Sequence, residues 1–344
     1  RDEWGFEGYV VSDCGAIDNI YYQHKTAGSQ AEASAQAVKA GCDLCCGGAY
    51  NDLVEAVQKG FIKETEIDVA LTRLFEARIK LGMFDPDEKV PYSKIPKTVV
   101  NSLEHRALAL KMAEQSMVLL KNDRNLLPLG KQHDVLYVCG PLATRFDVLW
   151  GNYNGYSGSM ITYLEGIVDK VDVGTKVIFN PGCQLNGPAN APYSQIDWDG
   201  VDAEIVIACL GISPELEGEE GDVALQDTGG DRPSVSLPSS QKVYLRYLKS
   251  KGKTIVLVLS GGSPIELLEE SELADAILFV WYPGCEGGRA IANMLFGDAN
   301  PSGRLPATFP SATDKIPDIG DYSMIGRTYR YGTAPGQYPF GFGL

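Results

Sequence analysis

Glu204-Ile205-Val206-Ile207-Ala208-Cys209-Leu210 is an almost unbroken apolar run of strand length, and two more such runs follow at 254–259 and 276–281. A strand with solvent on one face alternates apolar and polar residues, whereas a strand covered on both faces does not. Residues 240–250, between the first two runs, read as a helix, and 287–296 does so after the third. Strands alternating with helices in this way build a parallel sheet layered by helices on both faces. Working outward, further strand-like runs lie at 135–139 and 176–179, preceded by an amphipathic helix at 105–118. The expectation for 103–344 is a doubly wound α/β sandwich domain with a mostly parallel sheet.

The segment ahead of it has a different rhythm. Residues 8–12 read as a short strand, 30–39 as a helix rich in Ala and Glu that ends at Gly41, and 42–45 as a second buried strand. Helices follow at 51–58 and 64–81, the second with Val69, Leu71, Leu74, Phe75 and Ile79 on one face. Gly82 and Pro86 stop it, and the stretch 86–102, rich in Pro and Lys at its start, reads as a linker. A pair of βα units cannot close a sheet, and a (β/α)8 barrel takes about 250 residues. Residues 1–85 are therefore expected to be the C-terminal portion of such a barrel. Its open strand edges invite pairing with the remaining barrel segment or with a second copy.

Composition narrows the function classes. Asp and Glu outnumber Lys and Arg by 45 to 30, a formal charge of −15 that repels phosphate backbones and argues against a nucleic-acid partner. The 44% hydrophobic and 22% charged residues permit a real core and argue against disorder. No apolar run approaches the ~18 residues of a membrane span. The chain starts at Arg1 rather than Met, which leaves a leader and the compartment open; periplasm and extracellular space are both compatible. Of the eight cysteines, Cys139 and Cys209 sit inside apolar strands, where a thiol is ordinarily a small core residue. A chain this long needs no covalent staples, so no disulfide framework is expected. Cys42, Cys45 and Cys46 with His24 lack a second ligand pair at finger or ribbon spacing, so zinc is not expected either.

Two carboxylate settings stand out. Asp13 closes the strand Val10-Val11-Ser12, and catalytic side chains of barrels project from that end of the strands. The competing reading is an acid that caps a helix or closes a turn. The stretch 211–231 carries Glu215, Glu217, Glu219, Glu220, Asp222, Asp227 and Asp231 without one Lys or Arg. Crowded like charges raise the pKa of at least one carboxyl, as a general acid requires; a solvated or calcium-holding loop is the alternative. The aromatic stretch 150–156 suits either sugar stacking or packing between domains. Gly261-Gly262-Ser263 follows a strand, but no phosphate-loop or dinucleotide fingerprint is present. His24, His105 and His133 are the only histidines, and no Gly-x-Ser-x-Gly elbow occurs, which disfavours a Ser–His–Asp hydrolase.

Taken together, several motifs resemble glycoside hydrolase family 3. Glu3-Trp4-Gly5-Phe6 with Gly8-Tyr9-Val10-Val11-Ser12-Asp13 resembles its nucleophile signature, and Ala40-Gly41-Cys42-Asp43-Leu44 its next barrel strand. Leu119-Leu120-Lys121-Asn122 with Leu126-Leu127-Pro128-Leu129 is similar to its entry into the second domain. Tyr282-Pro283-Gly284, Glu286-Gly287-Gly288 and Asn300-Pro301-Ser302-Gly303-Arg304-Leu305-Pro306 resemble its C-terminal hallmarks. Cys14 and Gly151-Asn152-Tyr153-Asn154-Gly155 look like the β-xylosidase branch. The resemblance implies a retaining exo-hydrolase acting on a small oligosaccharide or aryl glycoside, with β-xylose the expected sugar and β-glucose the alternative. It implies Asp13 as nucleophile, Glu219 as acid/base with Glu217 in reserve, Cys14 and Tyr153 as substrate contacts, and no metal or organic cofactor. Family members also bind sugar hydroxyls through residues ahead of the nucleophile that are not in this sequence. A non-catalytic module that binds carbohydrate or a partner is therefore the rival expectation. Members that use phosphate as acceptor carry a His as acid/base, and 211–231 has none.

Overall fold

The computed structural model describes residues 1, 3–187, 202–217, 232, 234–311, 321–332 and 336–344, in two units, 1–99 and 100–344. The smaller unit is built on four helices: α1 (Ala16–Tyr22), α2 (Gln30–Lys39), α3 (Leu53–Gln58) and α4 (Glu64–Lys80). Ser29 caps α2 by accepting from the Glu32 N–H, and Ala31, Ala35 and Val38 on α2 pack with Ala56, Ile62 and Ala70. Alanines facing alanines bring these helices close. That geometry corrects the expected face of α4: the inner stripe is Ile67, Ala70 and Leu74, while Val69, Leu71, Phe75 and Ile79 are exposed.

The expected strands at 8–12 and 42–45 form only one parallel bridge, Val11 to Leu44. Val10 explains the interruption. Its carbonyl accepts from the N–H groups of both Asp43 and Leu44, and its own N–H donates to the Asp43 carboxylate at 2.8 Å rather than to a ladder carbonyl. Asp43 is buried, and Arg73 (2.9 Å) and Arg1 complete its shell. Short 3₁₀ turns fill 87–99.

In the larger unit, α5 (Leu103–Ser116) leads into β1 (Val118–Asn122). Among the described residues the remaining strands are β2 (Val135–Cys139), β3 (Lys176–Asn180), β4 (Ile205–Gly211), β5 (Thr254–Ser260) and β6 (Ala276–Phe279). They lie in the order β1-β6-β5-β4-β2-β3, all neighbours parallel except β1 with β6. The fold is thus α/β with a mixed six-stranded sheet. β4 and β5 pair residue for residue from Ile205–Thr254 to Gly211–Ser260 and are almost wholly buried, which is why both read as continuous apolar runs.

The intervening helices are α6 (Asp147–Trp150), α7 (Tyr163–Lys170), α8 (Ser239–Ser250), α9 (Leu268–Leu273) and α10 (Gly287–Leu295). α10 packs against α5 and α7, and α8 against α9. The α7 and α10 backbones meet: a methyl group on Gly166 would lie 2.0 Å from the Gly288 carbonyl oxygen, and one on Gly288 1.9 Å from that of Thr162. The connection from β2 to β3 runs one way across the sheet and those from β4 to β5 and β6 the other, so the winding reverses between β2 and β4. Buried Gln241 on α8 fixes the exit of β4, accepting from the Gly211 N–H and donating to the carbonyls of Gly211 and Leu185, each at 2.8 Å.

Glu270 on α9 is buried, and neither carboxyl oxygen has a hydrogen-bond partner; the Lys242 ammonium is 3.7 Å away. Burial raises its pKa. A carboxyl whose folded-state pKa is raised favours the fold while it is neutral, and loses that contribution as pH rises through the raised value. Glu270→Gln should therefore unfold at higher urea than the wild type at pH 8, with the gain vanishing below about pH 4, where the wild-type carboxyl is also neutral. Equal midpoints at pH 8 would mean that Lys242 fully offsets the burial.

Candidate active site

In the smaller unit Asp13 stands in a braced turn. Ser12 donates its N–H to the Leu44 carbonyl (2.9 Å), and its hydroxyl oxygen accepts from the Cys46 N–H (3.0 Å). Gly15 donates to the Cys46 carbonyl at 2.9 Å. Across the same gap Cys14 and Cys46 form a disulfide. This corrects the expectation of free thiols: Cys14 meets its surroundings as half of a disulfide. Cys42 and Cys45 remain reduced, and among the described residues no group of His, Cys, Asp and Glu is arranged to hold a metal ion. Gly15, at φ +73°, is the N-cap of α1 and provides no side-chain cap. Asp13 is therefore not spent on capping; one carboxylate oxygen accepts from the neighbouring Cys14 N–H at 2.8 Å, and the residue is exposed.

The second set of groups lies at the carboxyl ends of β2, β4, β5 and β6, on either side of the reversal of winding, where open α/β sheets take ligands. Gly140 and Gly211 make the exits tight. Each has positive φ, and a methyl group on either would lie 2.1 Å from a backbone oxygen of the next strand, that of Cys209 or of Ser260. The turn after β4 closes with the Glu217 N–H on the Ser213 carbonyl. Both oxygens of Glu217 are then taken: one accepts from the Gly262 N–H (2.7 Å) and the Tyr282 hydroxyl (2.6 Å), the other from the Ser263 hydroxyl. Burial, followed by the Glu217 charge, pushes the Tyr282 phenol well above its ordinary pKa. Arg232 donates to Ser263 and to the Pro264 carbonyl, and burial lowers its pKa against the opposing influence of Glu217. Arg145 clamps Asp147 and reaches Glu215 at 2.7 Å; its bond to Asp147 is the main reason its pKa is raised.

The aromatic stretch joins this cluster through Gly151 and the Asn152 side chain. Gly151 lies against the Tyr282 ring, and the Asn152 amide donates to the Glu217 carbonyl at 3.4 Å. Trp150 and Tyr156 meet edge to face, while Tyr153 is 88% exposed and turned to solvent. Glu219 and the rest of the acidic stretch from 218 to 231 lie outside the described residues. Two partnerships escaped the sequence reading. Cysteine connectivity cannot be read from spacing. Glu217 and Tyr282 are 65 positions apart, and only the motif around Tyr282 marked it.

The model of the glycosyl hydrolase family 3 C-terminal domain matches residues 117–344, and that of the N-terminal domain residues 1–77. A xylan 1,4-beta-xylosidase of Xylanibacter ruminicola is 32% identical, with 100% of this chain and 57% of the relative covered. A periplasmic beta-glucosidase of Salmonella typhimurium is 33% identical, with 100% and 49% covered. The chain spans about half the length of the curated relatives it matches. Among solved structures, a GH3 exo-beta-xylosidase in complex with a xylobiose aziridine activity-based probe superposes with a TM-score of 0.89 at 29% identity, covering 99% of this chain and 44% of that one. A beta-glucosidase from Listeria innocua in complex with isofagomine gives 0.81 at 27% identity, covering 100% and 48%.

The disulfide closes a 32-residue separation, which on chain-entropy grounds contributes about 3–4 kcal/mol. Peptide mapping without reductant should recover Cys14 linked to Cys46. Replacing both by Ser should lower the unfolding free energy of the smaller unit by roughly that amount; an unchanged urea midpoint would contradict the bond.

Proposed function

The chain belongs to glycosyl hydrolase family 3, and from that premise we propose that it carries the two catalytic carboxyls of a retaining exo-glycosidase. The enzyme removes single sugars, β-xylose first, from the non-reducing ends of β-linked oligosaccharides or aryl glycosides. Residues 1–85 are on this reading the end of a (β/α)8 barrel, 86–102 the linker, and 103–344 a doubly wound α/β sandwich domain.

The observation that carries the reading is the setting of Asp13: an exposed carboxylate, uncommitted to a helix cap, on a turn held by three hydrogen bonds and a disulfide. A nucleophile must be held rigidly and left open to substrate. Asp13 attacks the anomeric carbon through an oxocarbenium-like transition state while Glu219 protonates the departing oxygen. Water then hydrolyses the glycosyl-enzyme with Glu219 as base. Cys14, through its disulfide, and Tyr153 contribute sugar contacts. Xylose is favoured because the relative of known structure with the higher TM-score is named an exo-beta-xylosidase. The similarity to beta-glucosidases at comparable identity supports glucose as the second reading.

A 2-fluoro-xyloside should trap the intact protein as a glycosyl ester on Asp13, read by mass spectrometry of the peptide; a label on any other residue sinks the assignment. Glu219→Ala should slow hydrolysis of aryl β-xylosides with poor leaving groups by about 10²–10⁴-fold and activated ones far less. Equal losses across the series would remove Glu219 from the acid role.

A further inference from the structure

Glu217 has a chemistry of its own. Its carboxyl accepts from the Gly262 N–H, the Ser263 hydroxyl and the Tyr282 hydroxyl, so three donors on two different loops converge on one side chain from a third. The pieces are close-fitted as well as bonded. A methyl group on Gly262 would lie 2.9 Å from the Tyr282 ring and 3.0 Å from Glu217 Oε2, and one on Gly151 would lie 3.0 Å from the same ring. The Asn152 amide reaches the Glu217 carbonyl, so the loop after α6 is tied in too. A general acid must present an O–H to the leaving group, whereas this carboxyl has both oxygens occupied by donors of its own domain.

We propose that Glu217 is a positioning residue: with Tyr282, Gly262 and Ser263 it clips together the loops that leave α6, β4, β5 and β6, and so anchors residue 217, two positions ahead of Glu219 in the sequence. The inference rests on the reading of Glu219 as acid/base and deepens it. The role needs two adjacent acceptor positions, not a transferable proton. Gln meets that need in part, because its carbonyl accepts from the Gly262 N–H and the Tyr282 hydroxyl while the Ser263 hydroxyl turns to accept from the amide.

The test compares E217Q, E217A, Y282F and E219Q in the intact protein on aryl β-xylosides. E217Q should retain kcat to within about 5-fold, and both limbs of the pH–rate profile should persist, because the titrating acid is elsewhere. E217A and Y282F should lose about 10–100-fold in kcat with little change in KM, the signature of a misplaced reacting group. E219Q should lose about 10²–10⁴-fold together with the limb due to the acid. If E217A fails to fold, as thermal melting would reveal, E217Q and Y282F carry the comparison. E217Q as inactive as E219Q, or azide restoring E217A with formation of a glycosyl azide, would make Glu217 the acid and overturn the proposal. Failure of the underlying reading is separately visible: E219Q would then keep its activity, or the unmutated protein would not be labelled on Asp13 by a 2-fluoro-xyloside, and both proposals would go.

Discussion

β4 has a parallel partner on each side, β2 and β5, and the chain leaves β2 and β4 winding in opposite directions. The functional geometry of the larger unit depends on that one arrangement. Loops leaving β2 and β4 must diverge, because their next elements lie on opposite sides. Gly140 and Gly211 let the chain turn off flush against the neighbouring strand, where a side chain would strike backbone oxygen. Gln241 then holds the last residue of β4, Gly211, by both its N–H and its carbonyl. Given those fixed exits, Glu217 arrives where the loops after β5 and β6 present their donors.

The smaller unit achieves order by other means. Its apolar clusters are small and made largely of alanine, and such a core stabilises little on its own. Polar and covalent ties take over around Asp13. The buried Asp43 carboxylate gathers the Val10 N–H and two arginines, Ser12 and Gly15 bond to the segment at 44–46, and the disulfide joins the same two loops. The turn bearing Asp13 is thus positioned by its neighbours in space rather than by a long ladder.

What could be read from the sequence follows from the same physics. β4, β5 and β6 were legible because burial on both faces leaves no polar residue to confuse the period. β1 was not, because Lys121 and Asn122 interrupt it: the Lys121 ammonium reaches the carbonyls of Ser271 and Ala274, and the Asn122 amide closes on Leu127. The helix expected at 105–118 in fact begins at Leu103, where Ser102 caps it, and ends at Ser116 because Val118 joins the sheet. On α4 the stripe expected at Val69, Leu71, Phe75 and Ile79 is exposed, and Ile67 and Ala70 pack with α2 instead, a choice of face that depends on contacts distant in sequence. Asp13 was visible through its place after an apolar run. The disulfide beside it was not, since nothing local marks Cys14 and Cys46 as partners.

That disulfide has a topological consequence. It encloses α1 and α2 in a covalent ring whose closure lies next to Asp13. A protease that severed one peptide bond between residues 15 and 45 would leave both fragments attached to each other through sulfur, with Asp13 still beside its anchor. Under reducing gel electrophoresis such a nicked molecule would separate into pieces, while without reductant it would migrate as one chain.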